Sequence, residues 1–290
     1  MSSLAALPAN RRLPTATNNH PFNAKGRSCA QDRPFGYQEE TVEKKAFITG
    51  ASSGIGAALA EELATCGYTL FLTGRNETRL AALAGRLSCR WRALDLNREA
   101  DVRSLEEELR AFQPDVLINN AGLGSLGDLD RMDPGKMDEI IRVNCMALTH
   151  LLRTGLQVMQ GRQAYILNVA SVAGLLPAGP HMAVYYASKS YVTSLTLAVR
   201  QEMRERGSGI SISALCPGPV STRFDERAGV RKALRGMEAE AVARAAVRGL
   251  FLGKPLIVPG LAVRASVFLG RLLPRDFYSA LISRQQQKKG

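Results

Sequence analysis

No stretch of the chain approaches the roughly 18 consecutive apolar residues that a bilayer-spanning helix needs, so none is expected. The opening, MSSLAALPANRRLPTATNNHPF, also lacks the long apolar core of a secretory signal. Cysteine is scarce. Cys29, Cys66, Cys89, Cys145 and Cys216 are odd in number, scattered, and never spaced Cys-x-x-Cys. That argues against a disulfide framework and suits a reducing compartment, and a cytoplasmic location is expected. Histidine is scarcer still. His20, His150 and His181 are far apart and have no matching cysteine or carboxylate spacing, so no metal site is expected.

What is present is enough to build a sizeable core: 46% of the 290 residues are hydrophobic. The net charge of +12 would suit a nucleic-acid binder, but the excess is uneven. Residues 260–290 carry six Lys/Arg against one Asp, a net of +5, with no zinc-finger or RNA-binding motif around them. A solvated basic end is the expectation, with no nucleic-acid partner.

Residues 1–42 are rich in Ala, Pro, Asn and Ser without periodicity and read as a flexible extension. From Lys45 the text changes. KAFIT, TLFLTG, CRWRAL, PDVLIN, AYILNVA and GISISAL read as short strands. Between them lie helical patterns at 54–67, 76–87, 99–112, 134–160 and 183–206. Asn76 suits an N-cap and Gly67 a C-cap. Strands that are apolar on both faces and alternate with helices predict one α/β domain over 43–260. Its sheet would be parallel, doubly wound and Rossmann-like, with helices on both faces.

ITGASSGIG, residues 48–56, follows the first strand and opens the first helix. Gly50 permits the turn, Gly54 lets the backbone approach a pyrophosphate, and Gly56 lets the helix pack closely. Ser52, Ser53 and Ile55 complete a loop whose free N–H groups would face an anion. The second strand ends in LTGRNE, with no acid before Glu77. Arg75 there would pair with a 2′-phosphate, which favours NADP(H). Glu77, about twenty residues beyond the loop, is the rival and leaves NAD(H) open.

These motifs resemble the short-chain dehydrogenase/reductase family over about residues 45–260. The likeness rests on TGASSGIG at 49–56, LDL at 94–96, NNAG at 119–122, Asn144, Ser171, YYASK at 185–189 and PGPVST at 217–222. The chain's own spacing supports one role. Tyr185 lies four residues before Lys189, so on a helix they share a face, and the ammonium would lower the phenol's pKa toward working pH. Tyr186 and Tyr191 have the wrong register and read as packing residues. The resemblance implies the rest. Ser171 would polarise a substrate carbonyl, and Asn144 would hold a water linked to Lys189. Asp95 and Leu96 would meet the adenine, and Asn120, Ala121 and Gly122 would run along the cofactor. Pro217, Gly218, Val220 and Thr222 would meet the nicotinamide end. The implied reaction is reversible reduction of a ketone or aldehyde, with a 3-oxoacyl thioester or a steroid-type ketone as sub-options. A non-catalytic dinucleotide sensor is the alternative.

Fourteen positions separate Ser171 from Tyr185, one more than the family commonly has, and the extra residue falls in LPAGPH. Leu175, Leu176 and Met182 would form an apolar wall, and 222–240 a cationic lid. The tail, 261–290, is basic and amphipathic and is broken by Pro274. Packing on its own subunit or on a partner is preferred there over contact with a membrane surface. The family likeness also implies a homodimer or homotetramer packed through the 134–160 and 183–206 helices.

Overall fold

The computed structural model describes residues 43–222, 224, 228–230 and 236–287. The expected extension 1–42 lies outside the described residues, as do the lid cations Arg223, Arg227, Arg231, Lys232 and Arg235.

Seven parallel strands form one sheet in the order β3-β2-β1-β4-β5-β6-β7. They are β1 (Lys45–Thr49), β2 (Thr69–Gly74), β3 (Arg90–Ala93), β4 (Val116–Asn119), β5 (Ala164–Val169), β6 (Ile210–Leu215) and β7 (Leu256–Ile257). The strand order reverses beside β1, which opens a crevice at the carboxyl ends of β1 and β4.

Side chains alternate across the sheet, so β1 serves two cores. Ala46 and Ile48 join α1 (Gly54–Thr65) and α2 (Glu77–Leu87) on one face. Phe47 joins α3 (Glu99–Phe112) on the other, stacked on Phe71 with ring centroids 4.6 Å apart. Burial on both faces explains why these strands read as continuous apolar runs. Asn76 caps α2 by accepting from the Arg79 N–H at 2.9 Å. Gly67 follows α1, and its N–H bonds the Ala64 carbonyl.

The helix expected over 134–160 is in two pieces. α4 (Pro134–Ile141) and α5 (Leu148–Val158) are joined by a π-helical turn at Arg142–Ala147. α6 spans Ala183–Glu205. The sequence reading assigns nothing to two further elements, α7 (Ala239–Phe251) and strand β7. β7 is only two residues long, too short for a periodic pattern to mark it. After β7 come α8 (Leu261–Leu272) and α9 (Arg275–Gln287), separated at Pro274. Val267, Gly270, Tyr278, Ile282 and Gln286 are buried among their described residues.

Candidate active site

A cavity of about 840 Å³ runs from the glycine loop, across the carboxyl ends of the strands, to α9. At one end Gly50 and Gly54 have φ of +66° and +58°. A Cβ on Gly50 would come within 2.8 Å of the Ala121 Cα, and one on Gly54 within 3.0 Å of the Thr222 side chain. The backbone there is drawn against its neighbours in the way a pyrophosphate cradle requires. No acid stands in the first turn of α1 to repel an anion. The loop and cavity therefore fit a nicotinamide dinucleotide.

Neighbouring loops hold this cradle in place. The Asn120 side chain donates to the carbonyls of Thr49 and Gly50 at 3.0 and 3.1 Å. The Thr49 hydroxyl accepts the N–H groups of Asn120 and Ala121. Ser52, Ser53, Ile55, Arg75, Asp95, Leu96, Asn120, Ala121 and Gly122 all line the cavity. Gly56 does not; a Cβ there would press on the Gly50 carbonyl at 2.4 Å, so it serves helix packing. Arg75 is engaged in an ion pair with Glu139 of α4 at 2.7 Å. Arg79, in the first turn of α2, lines the cavity too, and the sequence reading missed it.

At the other end, α6 brings Tyr185 and Lys189 to the wall. Lys189 is 3% exposed; its Nζ donates to the Val169 carbonyl at 2.9 Å and lies 5.9 Å from the Tyr185 ring centre. Burial pulls its pKa down from 10.5 to about 8. Ser171 follows β5 in extended backbone, and its hydroxyl accepts the Ala173 N–H at 3.2 Å. The Val172 N–H bonds the Pro217 carbonyl at 2.9 Å, which joins this loop to the one after β6. Pro217, Gly218, Val220 and Thr222 line the cavity. Met237 bonds the Pro219 carbonyl and the Ser221 N–H, so this pairing uses the neighbours of Val220 and not its own backbone groups.

Asn144 is fully buried in the π-helical turn, behind the cavity wall. Its Oδ1 accepts the Leu123 N–H, and its Nδ2 donates to the Leu123 carbonyl and the Ser188 hydroxyl. The side chain thus clamps the loop after β4 to α6.

The substrate end differs most from expectation. Leu176 and Met182 line it, but Leu175 turns away to pack near Leu148 and Val192. Tyr186, read from sequence as packing alone, is buried and also lines the cavity. Phe224 stands 5.4 Å from the Tyr185 ring. Tyr278, Leu281, Ile282 and Gln286 of α9 close the far wall. The tail therefore folds over its own site. His181 ties it down from within the loop that carries the additional residue. Its φ of +61° is left-handed, its Nδ1 meets Asp128 at 2.5 Å, and its Nε2 meets Ser283 of α9 at 3.1 Å. The spacing of Tyr278, Ile282 and Gln286 was the available signal, since it marks one helix face.

The profile of the short chain dehydrogenases matches residues 44–232. The chain belongs to the short-chain dehydrogenase family. An uncharacterized oxidoreductase of Staphylococcus saprophyticus is 32% identical over 222 residues, 73% of this chain and 92% of the relative. A short-chain dehydrogenase from Sphingobium yanoikuyae, solved in complex with NADPH, superposes with a TM-score of 0.70. It is 32% identical and aligns over 79% of this chain and 93% of its own. A family member from Burkholderia phymatum, solved with NAD, gives 0.71 at 31% identity, over 78% and 92% of the two chains. This dehydrogenase is thus an oxidoreductase that uses a nicotinamide dinucleotide, built on a Rossmann-like sheet.

Proposed function

We propose that the chain reduces a ketone or aldehyde to an alcohol, reversibly, and prefers NADP(H). The reading rests on one arrangement: Tyr185 and Lys189 share a face of α6, at the wall of a cavity that also holds Ser171 and the glycine loop. When bound, the dinucleotide supplies the hydride for the carbonyl carbon. The Ser171 hydroxyl holds the carbonyl oxygen, and Tyr185 gives its proton to the oxygen as negative charge develops there. The buried ammonium of Lys189 stabilises the phenolate left behind. Asn120 and Asn144 act by positioning, because each side chain holds loop backbone.

Arg75 is the residue assigned to the 2′-phosphate, and Glu139 holds it by an ion pair that is half exposed. Such a pair contributes at most about 1 kcal/mol, so a phosphate can displace it. Oxidation of NADPH and NADH across a panel of ketones and aldehydes tests the whole reading. NADPH should be preferred, and Arg75→Ala should raise its KM about tenfold while leaving NADH nearly unchanged. Glu139→Gln should lower the KM for NADPH by a factor of about 2–5, since it frees the guanidinium. An NADH preference in the unaltered protein would overturn the assignment of Arg75.

A further inference from the structure

Gln286 is 4% exposed, lies on the inner face of α9 and lines the substrate end of the cavity. Its Nε2 bonds the Tyr186 hydroxyl at 2.9 Å. Its Oε1 is buried with no hydrogen-bond partner among the described residues. A buried carbonyl oxygen without a donor is unfavourable, and such groups in folded proteins are nearly always satisfied. Leu176, Met182 and Ile282, which line the cavity with it, carry no hydrogen-bond donor on their side chains, and the Tyr278 hydroxyl is directed to the Ser266 carbonyl at 3.3 Å. A hydroxyl group entering this end of the cavity would supply a donor to it.

We propose that Gln286 is a specificity residue that accepts a hydrogen bond from a distal hydroxyl of the substrate. The substrate class is a ketone whose apolar body separates the reacting carbonyl from an alcohol group. The carbonyl lies at Tyr185, the body lies against Leu176, Met182, Tyr278 and Ile282, and the hydroxyl meets Gln286. This inference rests on the carbonyl-reductase reading above.

The test uses ω-hydroxy-2-alkanones of graded chain length, each paired with the unsubstituted 2-alkanone and with its ω-methoxy counterpart. At the best length the hydroxyl compound should have a kcat/KM about tenfold or more above its pair. Gln286→Leu should bring that ratio to about one, through KM. Titration of the matching diols into protein saturated with NADP+ gives the same comparison as Kd, without turnover. If no carbonyl compound is reduced, the reductase reading fails, and the diol titration still decides the role of Gln286. Equal values within every pair, a ratio that survives Gln286→Leu, or a preference for the methoxy compound would overturn the proposal.

A separate observation concerns the outer face of the same two helices. Leu261, Phe268, Leu272 and Phe277 are 80%, 63%, 67% and 62% exposed, and Ala265, Leu269 and Leu273 continue the stripe between them. None of the ion pairs among the described residues involves Arg264, Arg275 or Arg284, and Asp276 is the one acid of the segment. An apolar stripe flanked by these cations matches an anionic bilayer surface. A second copy of the chain would bring the same +5 segment against itself. We infer that α8 and α9 seat on anionic lipid. This is contact with one leaflet, since no helix among the described residues is long and apolar enough to cross a membrane.

The protein should sediment with phosphatidylglycerol-containing vesicles and much less with pure phosphatidylcholine vesicles. The triple variant Phe268→Ser, Leu272→Gln, Phe277→Gln should lose this binding with an unchanged Tm. Absence of vesicle binding, or binding that the triple variant retains, would overturn the inference. So would self-association of the unaltered protein that the variant abolishes, because that would assign the stripe to a second copy.

Discussion

Tyr185→Phe is expected to lower kcat by about 10²–10⁴ while leaving the Kd for NADPH unchanged. The substitution removes one oxygen and keeps the ring that packs beside Phe224 and Tyr186, so the wall keeps its shape. What is lost is the proton for the developing alkoxide. Neither neighbouring tyrosine replaces it. Tyr186 is held by Gln286, and Tyr191 shares a bond with Thr149 on the exposed side of α6. Stopped-flow reduction of a ketone, alongside fluorescence titration of NADPH, separates the two effects. Retained turnover would remove Tyr185 from the mechanism. Lost cofactor binding would mean that the residue is structural.

Lys189→Met should give the opposite signs for activity and stability. Turnover should fall by at least about 10², because the phenolate loses its nearby cation. Tm should rise by about 2–6 °C. The reason is the depressed pKa: about 8 in the folded chain against 10.5 when solvated. As pH falls from 10.5 toward 8 the unfolded chain takes up a proton that the folded chain does not, so this group's contribution to stability is lost across that window. Below it, holding the charge costs on the order of 3 kcal/mol. Methionine removes that penalty at nearly equal volume, though it leaves the Val169 carbonyl without its donor, which offsets part of the gain. Scanning calorimetry at neutral pH checks the sign, and a lowered Tm would contradict it. In the unaltered protein, kcat/KM for reduction should decline as pH rises through about 8, where the ammonium is lost.

The sequence made legible whatever depends on short-range pattern. Strands buried on both faces are continuously apolar, and a phosphate loop needs glycines at fixed offsets. A Tyr and a Lys four apart must share a helix face. The π-helical turn around Asn144 was not legible, because one residue of extra helical winding leaves the hydrophobic period almost unchanged. Nor was the ion pair between Arg75 and Glu139, which are 64 positions apart. The periodicity of α9 shows that Tyr278, Ile282 and Gln286 share a face, but it says nothing of what they cover. Tyr186 is the instructive case. Its register on α6 relative to Lys189 excludes it as the acid, yet that same register aims it at a helix a hundred positions later.

That long reach sets an order of assembly. Every group assigned to hydride and proton transfer precedes residue 223, and the far wall of the substrate end, formed by Tyr278, Leu281, Ile282 and Gln286, follows residue 260. During synthesis the chemistry can take shape before the part that selects what it acts on, since chains fold from the amino end as they emerge. The two parts can also diverge separately. Changes on the inner face of α9 retune which molecules fit and leave the cradle and the tyrosine–lysine pair as they are, so new substrates can arise from a stretch that holds none of the reacting groups.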